Sequence, residues 1–501
     1  MFASIVLAAA VALPADGTYS YTITSNGKSV GSSTIVIAPS ADGVRAREHF
    51  EAGAVAADAL HTYDATLHER RYELRTANAR LQADISPVAA SLTLGGGTTT
   101  IPLDHPACAL LVDNLLTSIV MLPAALRAGG GHHCVFISPN RAQPIDVDVV
   151  TATVSPPPDV PATDAVVTIS FMGLTQTFWY DRSTLIPDAV VSGNFLIRLA
   201  GHSADTTIAP LPVPAATPSP KSRFPSYDVR FTSHDGSRLA GTFSTPYGHG
   251  PFPVVILLQG SGVGDRDETV GPNHIFAELA DALNAHGYAV LRYDKRAFGA
   301  STSTVFVNDI TRGDVVQDGL AAVAFVRARD DVDKQRVFFL GHSEGGEIVM
   351  GIALAGAPLR GIIMLAPLPM NYTAMIERQI ARNHVSDTDA AHLRSMEKQP
   401  YLMSFNAVDP VAEVRKVTIP MLLVHGNEDM HVTDADLHAF IAAGSAAHPK
   451  TLTVVELAGD THIFAVVPRA VAAASTDEST SQALDPRLLE AIARWLEKFN
   501  R

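Results

Sequence analysis

RVFFLGHSEGGEIVMGIALAG, residues 336–356, is an apolar run, a glycine-rich break that holds a serine, and a second apolar run. The first run has the length and branching of a buried strand and the second the length of a helix, so the break is a sharp strand-to-helix turn. A serine at such a turn is forced into a strained backbone, which is tolerable where the residues two before and two after lack side chains. Gly341 and Gly345 hold those positions around Ser343. Gly-His-Ser recurs at Gly201, His202 and Ser203, but Ala204 and Asp205 follow it and a proline-rich stretch comes next. Ser203 therefore reads as a solvated loop serine.

Apolar runs of strand length also stand at residues 253–259, 288–294, 361–367, 420–426 and 452–457, with helical stretches such as HIFAELADALNAHG and DVVQDGLAAVAFVRARDD among them. Continuous rather than alternating apolar strands belong to a sheet covered on both faces. The βαβ order predicts a doubly wound, mostly parallel sheet. SYDVRF and LAGTFSTP, just before these runs, predict a β-hairpin. Helices are expected in an insertion at about residues 368–415, after the fourth of the six runs.

Upstream the texture differs. Residues 209–225 hold six prolines in seventeen and predict a stiff linker between two domains. Before it, residues 15–208 are rich in β-branched and aromatic segments, such as YSYTIT, VGSSTIVIA, VRAREHF and VVTISFMGLTQTFWYD, with Asn26-Gly27 as a hairpin turn. A mostly antiparallel sheet or open barrel is expected there, carrying a buried helix over residues 107–126, where Asp113, Asn114 and Pro123 argue against a membrane span. Residues 1–14 begin with MFASIVLAAAVAL, a short apolar run before PADG that predicts a signal peptide and export to the periplasm or beyond. In an exported chain the two cysteines, Cys108 and Cys134, could pair. His132, His133 and Cys134 read as a loop.

With 501 residues, 47% hydrophobic and 18% charged, the chain is globular and long enough for two domains. A net charge of -14 argues against nucleic acid or an anionic membrane as the main partner. GSGVG at residues 260–264 does not complete a dinucleotide-binding glycine pattern.

A serine hydroxyl is a weak nucleophile that needs a base, and the base needs an orienting acid. On a strand-turn-helix elbow the chain order is Ser, then Asp or Glu, then His. Asp429 follows the run at 420–426 and His462 follows the run at 452–457, both where parallel sheets present ligand-binding loops. Glu428, Asp434 and Asp460 are the rival acids. His425 and His431 read as structural or pocket residues. An oxyanion needs preoriented N–H donors. Glu344, at the start of the helix, supplies one, and Ser261, in a loop freed by Gly260 and Gly262, supplies the other.

These segments resemble the α/β-hydrolase superfamily, and within it bacterial carboxylesterases with a separate N-terminal domain. The resemblance covers roughly residues 226–501 and rests on GSGVGDRDE at 260–268, LRYDKRAFGAS at 291–301, GHSEGG at 341–346, GNEDMHV at 426–432 and GDTHIF at 459–464. It implies an α/β-hydrolase fold with a small helical cap, Ser343 as nucleophile, Asp429 as acid and His462 as base. Members of the group often have His where this chain has Gln259, a departure expected to change the hydrogen bonding behind the oxyanion loop. The charged residues 265–268 and Asp294, Lys295 and Arg296 are expected to pin that loop through salt bridges.

The combined expectation is an exported serine esterase that acts on small carboxylic esters through an acyl-enzyme. It would need no metal or organic cofactor, bind no nucleic acid and have no transmembrane span in its mature form. A serine peptidase is the nearest alternative, and a binding protein with a silent hydrolase half comes next. Peptide against ester substrates separates the first pair, and fluorophosphonate labelling tests the last.

Overall fold

The structure, a computed structural model, describes residues 13–499 apart from 26, 53–54, 77–79, 104–108, 111–115, 129–132, 139–142, 151–154, 159, 161–164, 172–173, 212–219, 263, 271, 384–389, 391–393, 395–399 and 466–482. Residues 1–12 of the expected signal peptide, residues 212–219 of the proline-rich linker and Cys108 thus lie outside the described residues, as does the side chain of Cys134. The chain forms two compact units, Met1–Leu94 with Thr98–Ala215, and Gly95–Gly97 with Ala216–Arg501.

The first unit is a 15-stranded sheet. Two meanders run outward from a central pair, Gly17–Ser25 against Phe195–Ser203, the first and last strands in sequence. Pairing is antiparallel along the sheet, apart from the short Ala109–Leu110 segment, which runs parallel to His133–Ser138. Alternation explains the strands: in Gly43–Ala52, Val44, Ala46, Glu48 and Phe50 are buried and the residues between them are not. Among its described residues this unit has one helix, α1 (Thr117–Ala128), shorter and later than the expected 107–126, and residues 116–126 are buried throughout. Buried Glu48 caps it, accepting the backbone N–H of Leu116 at 2.8 Å and of Thr117 at 2.7 Å and the Thr117 hydroxyl at 2.8 Å. His133 and Cys134 open a strand rather than a loop, because cross-strand pairing with Gln143–Val150 outweighs the polar start of the segment.

The second unit carries an eight-stranded sheet, here β1 (Ser226–Thr232), β2 (Arg238–Ser244), β3 (Phe252–Leu258), β4 (Ala289–Tyr293), β5 (Val332–His342), β6 (Gly361–Leu365), β7 (Met421–Gly426) and β8 (Leu452–Leu457). Their order across the sheet is β1-β2-β4-β3-β5-β6-β7-β8. β1 pairs antiparallel with β2 and β2 with β4, and every later pair is parallel.

Both faces of this sheet are covered, which is why its strands read as unbroken apolar runs. Val254, Ile256 and Leu258 of β3, with Val337 and Phe339 of β5, face α2 (Arg312–Arg327) and α3 (Glu344–Leu354), where Val315, Ala322, Ile348 and Ile352 meet them. The intervening Val255, Leu257, Phe338 and Leu340 pack with Phe276 and Leu279 of an Ile275–Ala285 helix and with Leu488, Ile492 and Trp495 of a Pro486–Glu497 helix. Each such side chain, fully buried, contributes roughly 1.5–3 kcal/mol of transfer free energy. Between β6 and β7 the insertion forms helices at Tyr372–Asn383, Pro400–Asn406 and Pro410–Val414. Among the described residues no helix is long and apolar enough to cross a membrane.

Candidate functional site

Ser343 lies where β5 ends and α3 begins, and its backbone is strained, at φ 53° and ψ -118°. The turn is held by three hydrogen bonds: Ser343 N–H to Leu365 O at 2.8 Å, Gly346 N–H to Ser343 O at 3.0 Å, and Leu368 N–H to Ser343 O at 3.1 Å. Its glycines are sterically obligatory. A Cβ on Gly341 would stand 2.1 Å from Gly345 O, and one on Gly345 would stand 2.4 Å from Leu258 O.

Asp429 and His462 come together from the loops after β7 and β8. His462 Nδ1 is 2.7 Å from Asp429 Oδ2, and the other carboxylate oxygen accepts the N–H groups of His431 at 2.7 Å and Val432 at 2.8 Å. Burial of Asp429 opposes its charge, but the neighbouring imidazole and these N–H donors prevail and hold its carboxyl below the usual range. The two loops are joined through backbone, Glu428 N–H donating to Asp460 O at 3.0 Å. A Cβ on Gly426 would meet that same oxygen at 2.3 Å. The rival acids Asp460 and Asp434 lie against other groups. Asp460 pairs with Arg487 at 2.9 Å, and burial followed by its neighbour Asp485 pushes it up to about 7. Asp434 lies 3.1 Å from His425. The His431 ring packs 4.9 Å from that of His462.

The loop after β3 reaches the serine: a Cβ on Gly260 would stand 3.1 Å from Ser343 Cβ. Ser261 follows, exposed, and its hydroxyl interacts with Tyr372. Glu344 is the first residue of α3, where N–H groups have no intrahelical acceptor. Gln259 acts behind this loop, its Nε2 donating to Asp265 O at 2.6 Å and Tyr293 O at 2.5 Å.

Charged residues around the loop form a dense network. Arg266 makes a two-pronged contact with Asp294, Arg292 pairs with Asp267, and Lys295 donates to Gly260 O. Two connections here were not visible in the sequence. Glu268 accepts both the Gly260 N–H at 2.7 Å and His342 Nδ1 at 2.8 Å, while the other nitrogen of that ring, Nε2, is 2.9 Å from the backbone carbonyl of His462. A ring that donates at both nitrogens is an imidazolium. Burial works against that charge, yet Glu268 and the two hydrogen bonds raise the His342 pKa above its ordinary value. The second connection centres on the buried carboxylate of Glu344, which accepts from Lys295 Nζ at 3.1 Å, from Tyr401 OH at 2.5 Å and from Tyr372 OH, both tyrosines belonging to the inserted helices. Beside it Glu347 is paired with Arg312 at 2.8 Å, and burial pushes its carboxyl up to about 7. The sequence carried one faint sign of these links, charged residues within otherwise apolar strand ends.

Among the described residues, the group with metal-ligand spacing is His425, Asp434 and Glu456, with donor atoms all within 4.8 Å of one another. No such group includes Ser343, Asp429 or His462.

A sheet ordered β1-β2-β4-β3-β5-β6-β7-β8, with Ser, Asp and His presented in that chain order at its carboxyl edge, makes the second unit an α/β hydrolase in fold. The family described as serine aminopeptidase, S33, matches residues 273–388. Esterase EstD of Thermotoga maritima is 30% identical over 279 residues, spanning 52% of this chain and 66% of EstD, just under two thirds of that relative. The uncharacterized protein YfhR of Escherichia coli K12 is 26% identical over 236 residues, 45% of this chain and 70% of YfhR. Among solved structures, the Pyrococcus furiosus esterase Pf2001 aligns with a TM-score of 0.40 at 17% identity, covering 55% of this chain and 90% of the esterase.

Proposed function

We propose that this protein is a serine hydrolase that cleaves carboxylic esters through an acyl-enzyme. The observation that carries the reading is the buried Asp429–His462 pair at 2.7 Å, its imidazole 4.8 Å from the ring of His342, the residue before a serine held at φ 53° on a glycine-framed elbow. In this reading His462 Nε2 takes the Ser343 proton as the oxygen attacks the acyl carbon, and Asp429 holds the Nδ1–H tautomer and stabilises the imidazolium that forms. The N–H groups of Ser261 and Glu344 receive the oxyanion, and His462 then protonates the departing alkoxide. Water, deprotonated by the same imidazole, releases the acid and restores Ser343. EstD's name as an esterase supports the substrate class.

The matched family's description favours a second reading, an aminopeptidase. Such an enzyme must hold a substrate ammonium with a carboxylate, and the buried glutamates beside the elbow, Glu268, Glu344 and Glu347, are already engaged by His342, Lys295 and Arg312. That pairing supports the ester.

The test is turnover of p-nitrophenyl butyrate by wild type and Ser343→Ala, with aminoacyl p-nitroanilides at matched concentration. Ester turnover that Ser343→Ala abolishes supports the proposal. Faster amide turnover makes the protein a peptidase, and inactivity of the wild type on both, across acyl lengths, rejects a hydrolase.

A further inference from the structure

The loop that carries Asp429 is bracketed by two residues that hydrolysis does not use. His425 is the penultimate residue of β7, and Asp434 opens the following helix, Asp434–Ala447. On edge strand β8, Glu456 stands directly beside His425 in the parallel register, six residues before His462. Side chains at such a position share one face of the sheet. The His425 side chain is 4% exposed, and its Nδ1 is buried without a hydrogen bond. Asp434 Oδ1 lies 3.1 Å from that nitrogen but is misaligned for a hydrogen bond. A buried polar atom left this way is costly in an ordinary loop and calls for another partner.

We propose that His425, Asp434 and Glu456 form a divalent transition-metal site that clamps the loops bearing Asp429 and His462. One imidazole and two carboxylates suit a borderline ion such as Zn²⁺, for which ligand arms are about 2.0–2.2 Å. Arms of that length meeting near the tetrahedral angle separate their donors by about 3.4 Å, so the 3.1 Å between His425 Nδ1 and Asp434 Oδ1 is already close to a ligand pair. A cation placed off the line joining the two atoms meets the ring nitrogen's lone pair, which the carboxylate does not. Glu456 is exposed and closes the third position by a change of rotamer, and water completes the shell. The positive end of the following helix opposes a cation, and Asp436, folded back onto the Thr433 N–H at 2.8 Å, is itself paired with Arg378, so the Asp434 and Glu456 carboxylates supply the offsetting charge. Binding ties the end of β7, the start of that helix and β8 together, and so fixes both loops from which the Asp429–His462 pair is built. Catalysis itself needs no metal in this scheme.

The test is calorimetric titration of chelator-treated full-length protein with ZnCl₂, beside Asp434→Asn and Glu456→Gln. Both of these side chains are exposed, so the variants are expected to fold, and circular dichroism checks that they do. His425→Gln adds the third arm. The expected result is one Zn²⁺ per chain with a Kd on the order of micromolar. Each variant should bind at least about tenfold more weakly. Zn²⁺ should also raise the unfolding midpoint of wild type by several degrees while leaving the variants unmoved, since only binding to the folded state stabilises it. Absence of binding by wild type overturns the proposal. So does equal affinity in wild type and all three variants, which assigns the metal to other histidines of the chain.

Discussion

The tripeptide Gly-His-Ser occurs twice in this protein, and the two copies have nothing in common beyond their letters. Gly201, His202 and Ser203 end an antiparallel strand of the first unit, and all three are exposed. Gly341 and His342 end a parallel strand of the second and Ser343 follows in the turn, with the first two buried and the serine partly so. A Cβ on Gly201 would meet nothing within 4 Å, whereas one on Gly341 would collide with the next turn of backbone. His202 lies against Tyr19 at a ring separation of 5.2 Å, while His342 is held at both nitrogens. Position in the sheet, not residue type, makes one copy an elbow. The expectation that Ser203 lies in a loop also needs adjusting, since it is the last residue of a strand, opposite Thr18.

The contrast can be broken at each letter. At the serines the largest effect is expected: Ser343→Ala should lower ester kcat/KM by about 10⁴-fold or more, and Ser203→Ala by less than about twofold. Comparable losses in the two variants would remove the distinction. At the glycines, Gly341→Ala should destabilise the chain by about 3 kcal/mol or more, because its methyl meets backbone that cannot yield. Gly201→Ala should stay within about 0.5 kcal/mol, both read from urea midpoints. At the histidines, His342→Ala should reduce kcat/KM about 10- to 100-fold by loosening both the oxyanion loop and the carbonyl of His462, with His202→Ala unchanged.

The smallest effect is one of pH. The folded pKa of His342 is raised above the ordinary 6.5, so its contribution to stability is full below that value and is lost as pH rises through the folded pKa. Glu268→Gln removes the main cause of the rise. The stability gap between wild type and Glu268→Gln should therefore be widest near about pH 6 and narrow towards about pH 9. A gap that does not change over this range would mean that the imidazole is neutral and the pair is a plain hydrogen bond.

Much of this was legible in one dimension. Parallel strands announce themselves as continuous apolar runs because helices cover both faces, and the six runs of the second unit lie within a few residues of β3 to β8. The Asp429–His462 meeting was also readable, since chain order and loop position at strand ends are local properties. The helix in the first unit was misplaced by about ten residues at its start, where Ala109–Leu110 instead joins the sheet. Nothing in a run as apolar as residues 107–126 distinguishes a helix from an edge strand.

The sequence by itself determined the second unit's architecture, its elbow and the three residues of its candidate triad, because periodicity, glycine placement and chain order all act over short stretches. Only the tertiary structure decided what surrounds them. Glu268 meets His342 across 74 residues, Lys295 meets Glu344 across 49 and Tyr401 meets Glu344 across 57. Such pairings arise where the folded backbone happens to bring polar groups together away from water, and there an unpaired charge is costly enough to demand a partner from any part of the chain.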